Sequence, residues 1–244
     1  MKDQFNITRL GHFLKRQLYF NISSMWVAIA AIAGALIFIS ALVTYFSHRP
    51  IVALAPWYAM VFFIGGNIFA ASIFNEMHAP QKSYAFLTLP VSALEKLAAA
   101  WLITVPLFIL TVGLGMIAML SLVGLIAGQM HEVQELFAHD IPIMLKIFAV
   151  VQSIFLLGAT TFRGNNFLKT HLAIFLTITF LAGFSVLLVY VLTNKTGIVV
   201  SGESGEFKDT VKFIFEQIMP YVVTFVLGPY LLVVAYFKLK ERQV

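Results

Sequence analysis

The sequence predicts an all-α, polytopic integral membrane protein, with six transmembrane helices preceded by an amphipathic interfacial helix in a single transmembrane domain spanning residues 1–244. Three observations predict it. Hydrophobic residues make up 60% of the chain and charged residues only 11%, whereas a soluble domain carries about a quarter charged residues to keep its surface hydrated. Charge-poor runs recur at the length of about 20 residues that a helix needs to cross the hydrocarbon core. These runs are continuously apolar rather than alternating, which selects helices over a closed barrel of short strands.

In chain order, residues 1–24 come first. Phe5, Ile7, Leu10, Phe13, Leu14 and Leu18 recur at helical spacing while Arg9, His12, Lys15 and Arg16 occupy other faces. That pattern predicts a helix lying along the inner leaflet, basic toward the headgroups and apolar toward the acyl chains. A cleavable signal peptide is disfavoured, because the apolar run begins late, is long, and lacks a small-x-small site after it. The six spans follow at 25–46, 54–74, 98–127, 141–162, 170–193 and 217–237. Only the fourth contains a charge, Lys146, close enough to its start for the long stem to snorkel to the interface. Pro106 in the third span and Pro220 and Pro229 in the sixth predict kinks. Ala30 with Gly34, Gly66 with Ala70, and Gly124 with Gly128 are small residues four apart that let helices approach closely.

Orientation follows from the basic residues. Lys2, Arg9, Lys15, Arg16, Lys82, Lys96, Arg163, Lys169, Lys238, Lys240 and Arg242 fall on one side of this six-span layout; Arg49, Lys195, Lys208 and Lys212 fall on the other. The positive-inside rule then makes both termini cytoplasmic, with the membrane lipid as solvent. The third connection carries Glu132, Glu135 and Asp140 without Lys or Arg, and so faces outward. Trp26, Trp57 and Trp101 stand near span ends, where amphipathic rings settle among headgroups. The net charge of +5 is dispersed over the inner segments and forms no soluble basic domain, so nucleic acid is not an expected partner.

Chemical signatures are sparse. With no Cys, thiol catalysis and iron–sulfur ligation are excluded. No G-x-x-x-x-G-K-[ST] string occurs, so the chain has no P-loop for ATP. Gly202-Glu203-Ser204-Gly205 matches a short protease string, but it sits in a polar loop and no His follows His171 to act as base. His131-Glu132-Val133-Gln134-Glu135 has Glu135 where a zinc-binding His belongs, which favours a solvated helix face shared by His131, Glu135 and His139. No catalytic or metal-ligating set is expected. Among the neutral polar residues inside spans, Thr177, Thr179 and Ser185 are expected to bond their own helices or bridge neighbours, and Asn67, Ser72, Thr104 and Thr111 are the candidates for a translocation path.

The connection from Asn75 to Leu97, NEMHAPQKSYAFLTLPVSALEKL, is the inner segment long enough to dock a partner. Pro90 fixes a turn, and Ser92 with Glu95 reads as a capping box opening a helix that continues through Trp101 into the third span. The segment Tyr84-x-x-Leu87-x-Leu89-Pro90-Val91-Ser92-x-x-Glu95-Lys96, placed after an amino-terminal helix bearing Arg9-Leu10-Gly11 and Lys15-Arg16, resembles that of the short ABC-2-type permease subunits of bacterial ATP-binding-cassette transporters, in which an LPxSxxEK element precedes the third helix.

The resemblance implies an inner-membrane export subunit that pairs with a second permease copy, as homo- or heterodimer, and with a separate P-loop ATPase. That partner would hold ATP and magnesium, and this chain would bind no cofactor directly. Tyr84, Leu87, Leu89, Pro90, Val91, Ser92, Glu95 and Lys96 would be the coupling residues. A membrane-embedded enzyme, or a non-transporting scaffold or sensor, is the alternative; the enzyme would need convergent ionisable residues at one membrane depth.

Overall fold

The computed structural model describes residues 5–47, 51–196, 213 and 219–242. The outer-loop motif at 202–205, Arg49, Lys2, Lys208, Lys212 and the first residues of the expected sixth span lie outside the described residues. All regular structure among the described residues is helical. Among the described residues, five helices are long and apolar enough to cross a membrane: Ala55–Ser72, Ala93–Ile126, Asp140–Thr161, Asn166–Leu188 and Val223–Glu241.

Helix α1 runs unbroken over Ile7–Ser47. Asn6 starts it, its Oδ1 accepting from the backbone N–H of Thr8 at 2.9 Å and of Arg9 at 3.4 Å, which satisfies donors that have no partner in the first turn. The helix is continuous through residue 25, where the interfacial segment and the first span were expected to meet. Leu10 and Phe13, expected to face acyl chains, are instead buried in protein, whereas Phe5 and Ile7 are exposed. The reason is a competing apolar surface, since Phe13 meets the Phe86 ring at 6.1 Å between centroids.

Helix α2 (Ala55–Ser72) carries Pro56 in its first turn, where no backbone bond is lost. Two short helices, α3 (Asn75–His78) and α4 (Ser83–Leu87), fill the next connection. Helix α5 (Ala93–Leu102) then passes through two π-helical stretches, Ile103–Leu107 and Ile109–Gly113, into α6 (Leu114–Ala127). Pro106 lies in the first of these, so its missing N–H is absorbed by a widened turn. Gly128 ends α6 at φ +71°, and the N–H of Gln129 reaches back to the Gly124 carbonyl at 2.9 Å. Gly128 thus makes a helix stop, with the Gly124 carbonyl as the acceptor that closes it.

Helix α7 (Met130–Thr161) starts about ten residues before the expected fourth span, absorbing Glu132, Glu135 and Asp140, which the sequence placed in a connection. A turn with Gly164 and Asn165 at positive φ leads into α8 (Asn166–Thr196). Helix α9 (Met219–Val222), a π-helical stretch at Val223–Leu227 and α10 (Gly228–Glu241) complete the described chain, with Pro229 in the first turn of α10.

Helix α7 is the central post, packed against α2, α8 and α10. At Gly66 of α2 an added Cβ would stand 2.5 Å from the Phe148 ring, and at Gly158 it would overlap Thr170 of α8. These are the close approaches that small residues permit. Phe148 fills the first of them and gathers Phe62, Phe63 and Phe108 at centroid distances of 4.5, 5.6 and 5.6 Å. A second core, containing Phe13, Phe74, Phe86, Leu97, Leu156 and Leu239, closes the end of the bundle at which α3 and α4 lie.

Candidate functional site

The capping box expected at Ser92 is formed. Ser92 Oγ accepts from the Glu95 N–H at 3.2 Å, and Glu95 Oε2 accepts from the Ser92 N–H at 2.8 Å. Glu95 does more than cap α5. Its other oxygen, Oε1, accepts from the Asn6 N–H at 2.7 Å and from Arg9 at 3.0 Å. One fully buried carboxylate therefore starts α5 and also fixes the start of α1. Two turns along α1, Arg16 pairs with Glu76 of α3 at 3.1 Å, so the same face of α1 is tied twice to the connection.

Lys96 is likewise fully buried. Its Nζ donates to the carbonyls of Phe86 at 3.0 Å and Leu87 at 3.4 Å, and stands 5.0 Å from the Phe86 ring centroid. Those carbonyls belong to the last turn of α4, where backbone acceptors lack helical partners and carry partial negative charge. Lys96 thus fastens α4 to α5. Glu95 and Lys96, expected among the residues that contact an ATPase, turn inward and offer no surface to a partner; local charge in the sequence does not distinguish a solvated pair from a buried brace. Tyr84 is 79% exposed, Pro90 is exposed, Leu87, Leu89, Val91 and Ser92 are half-buried, and Phe86 between them is fully buried.

The connection is also tied to the far end of the described chain. His78 Nε2 donates to the Ala159 carbonyl at 2.7 Å, and Arg242 donates to His78 Nδ1 at 2.9 Å and to the Thr161 carbonyl at 2.9 Å. These roles are forced, because a carbonyl only accepts and a guanidinium only donates. Burial holds His78 below the usual imidazole range, and Arg242, Arg163 and Lys169 act in the same direction, against the bond to Ala159.

Each of the four expected path residues has a hydrogen-bond partner within the chain. Asn67 is buried and accepts from Gln152 at 3.2 Å across α2 and α7. Thr104 is buried and bonds the Ala100 carbonyl, while the more exposed Ser72 and Thr111 bond Phe69 and Leu107. Thr111 borders an apolar cavity of about 210 Å³ between α1, α2 and the π-helical stretches. A larger cavity, about 500 Å³, lies between α2, α6 and α7 with Tyr58, Phe62, Met116 and Asp140 in its lining. Thr177 and Ser185 bond back to Ala173 and Leu181, as expected of hydroxyls in apolar helices. His131 and Glu135 form an exposed pair at 3.6 Å, and no group of three metal-ligating residues occurs among the described residues.

Sequence reasoning missed Asn6, Arg9, Arg16, Glu76, His78 and Arg242 as parts of this site. A usable signal existed for Arg9 and Arg16, which stand seven apart on one helix face, with acids Glu76 and Glu95 in a connection between apolar runs. No family model matches this chain, and neither does any curated protein or solved structure.

Proposed function

We propose that the chain is the permease subunit of an ATP-driven exporter of the ABC-2 type, with α4 and the following turn as the surface on which a separate P-loop ATPase pushes. The observation that carries this reading is the contrast within α4. Tyr84 projects outward at 79% exposure while Phe86, on the opposite face, is fully buried and Lys96 holds the helix end from behind. A short helix that is free on one side and braced on the other transmits displacement instead of absorbing it. The brace leads into α5, and α5 continues into the apolar window Ala93–Ile126. The LPxSxxEK resemblance supplies the partner class, and the absence of a P-loop string from the sequence fits that division of labour.

The reading includes six crossings in the bacterial cytoplasmic membrane, an amphipathic first segment, cytoplasmic ends and a second permease copy. Parity supports the sixth crossing. Arg9 meets Glu95 and Arg242 meets His78, so both ends of the described chain reach the same connection. Five crossings would separate those ends, and the apolar stretch Ile29–Val43 of α1 supplies the one that restores them to a common side.

The test is co-purification and ATP turnover with a P-loop ATPase encoded beside this gene. The chain alone is expected to hydrolyse no ATP, the complex to do so, and Tyr84→Ala with Pro90→Gly to lose at least half of the bound ATPase while remaining in the membrane. Full retention of the ATPase by that variant sinks the assignment of α4, and turnover by the pure chain sinks the division of labour.

A further inference from the structure

The one imidazole in the connection between α2 and α5 is built into a joint that works in a single protonation state. His78 sits at the end of α3, half-buried. Its Nε2–H is committed to the Ala159 carbonyl at the end of α7, and its Nδ1 lone pair is committed to Arg242 just beyond α10. Arg242 spans the gap, because its other terminal nitrogen donates to the Thr161 carbonyl. Three separate parts of the chain therefore meet at one imidazole. We propose that His78 and Arg242 form a proton-released latch that holds the α3–α4 connection to the carboxy-terminal end of α10 while His78 is neutral and lets go when it is protonated.

The chemistry is local. A proton on Nδ1 replaces the lone pair with a second N–H donor, which faces a guanidinium that can only donate. The bond is lost and two cations are left 2.9 Å apart. The charged groups that act on His78 are cationic, and Glu241, next to Arg242, is paired with Lys238 at 2.9 Å. Arg163 and Lys169, from the turn and helix that follow α7, add positive charge, and Glu76 on His78's own helix is engaged by Arg16. Lys169 itself donates to the Arg163 carbonyl at 2.6 Å.

The sign follows from the direction of the shift. His78 lies below its ordinary value of 6.5 in the latched form, so the opened form binds more protons between the two values. The latch contributes fully above about pH 6.5 and is lost as pH falls through that value toward the lowered one. On the orientation proposed above, the sensed compartment is the cytoplasm; the latch itself depends on no partner ATPase.

The absence of native cysteine makes the test direct. Cysteines introduced at the exposed positions Lys82→Cys and Lys240→Cys carry spin labels on the full chain in lipid nanodiscs, and the inter-label distance distribution is recorded from pH 8 to pH 5. A narrow distribution is expected at pH 8, broadening with a midpoint below about pH 6.5. His78→Gln supplies an amide N–H for Ala159 and an amide oxygen for Arg242 without titrating, so it should stay narrow throughout; Arg242→Gln should be broad throughout. A distribution that does not change with pH in the otherwise native chain, or a pH response that survives His78→Gln, overturns the latch. ATPase binding is not part of the readout, so failure here leaves the transporter reading standing, and the reverse holds.

Discussion

Glu95 is a single carboxylate with bonds to the backbone of Ser92 and Asn6 and to the Arg9 side chain, which makes it the residue most costly to change. Glu95→Ala leaves the backbone N–H groups of Ser92 and Asn6 without this acceptor and removes the Arg9 bond. Removing one partner of a buried pair costs about 3–5 kcal/mol. Arg9 is about a third exposed, and solvent screening of the ionic part lowers the expectation to about 2–3 kcal/mol. Ser92→Ala loses only one half of the box, about 0.5–2 kcal/mol. Thermal unfolding in detergent should therefore rank Glu95→Ala well below Ser92→Ala. Arg9→Met combined with Glu95→Ala should cost less than the sum of the two singles. Equal midpoints for Glu95→Ala and Ser92→Ala would show that the link to α1 adds nothing.

At the scale of elements, the close helix contacts are set by glycines of unequal importance. Gly66→Ala forces a methyl against the Phe148 ring, within a cluster of four phenylalanines, and overpacking of that kind costs about 1–3 kcal/mol. Gly34→Ala meets no atom within 4 Å and should be neutral or stabilising by up to about 1 kcal/mol through helix propensity. Phe148→Leu should recover part of the Gly66→Ala loss; the same melting measurement checks all three, and a Gly34→Ala protein weaker than Gly66→Ala contradicts the packing described.

Much of this was legible in the sequence and some was not, for identifiable reasons. Apolar length located the candidate spans because lipid demands about 20 residues whatever the fold. Ser92 and Glu95 disclosed their cap because both partners lie within one helical turn. The role of Gly128 stayed hidden because a small residue four after another is also what packing requires, and only its positive φ separates the two. Arg9 with Glu95 and His78 with Arg242 are 86 and 164 residues apart, and no local pattern carries such pairings.

For the whole molecule, the two long-range ties restrict how the chain lies in the bilayer. Arg9 and Arg242 both reach the α2–α5 connection, so Thr8, Lys82 and Lys240 belong at one end of the bundle. Gln134, near the start of α7, lies about 25 residues before Ala159, which contacts His78; at a rise of 1.5 Å per residue that is about 37 Å along the helix, so Gln134 belongs toward the other end. Single cysteines at these four exposed positions can be probed with a membrane-impermeant maleimide in intact spheroplasts and after permeabilisation. On the orientation proposed from the excess of Lys and Arg on the Thr8 end, only Gln134→Cys should react before permeabilisation. The control is Gly34→Cys, inside the apolar stretch Ile29–Val43, which should resist a polar reagent in both conditions. Reaction of Thr8→Cys and Lys240→Cys from opposite sides breaks the six-span arrangement and the shared-end geometry together. Reaction of Thr8, Lys82 and Lys240 from outside, with Gln134 protected, retains the geometry and inverts the protein, which would move the pH-sensing side of the His78 joint out of the cytoplasm and remove α4 from reach of any cytoplasmic ATPase.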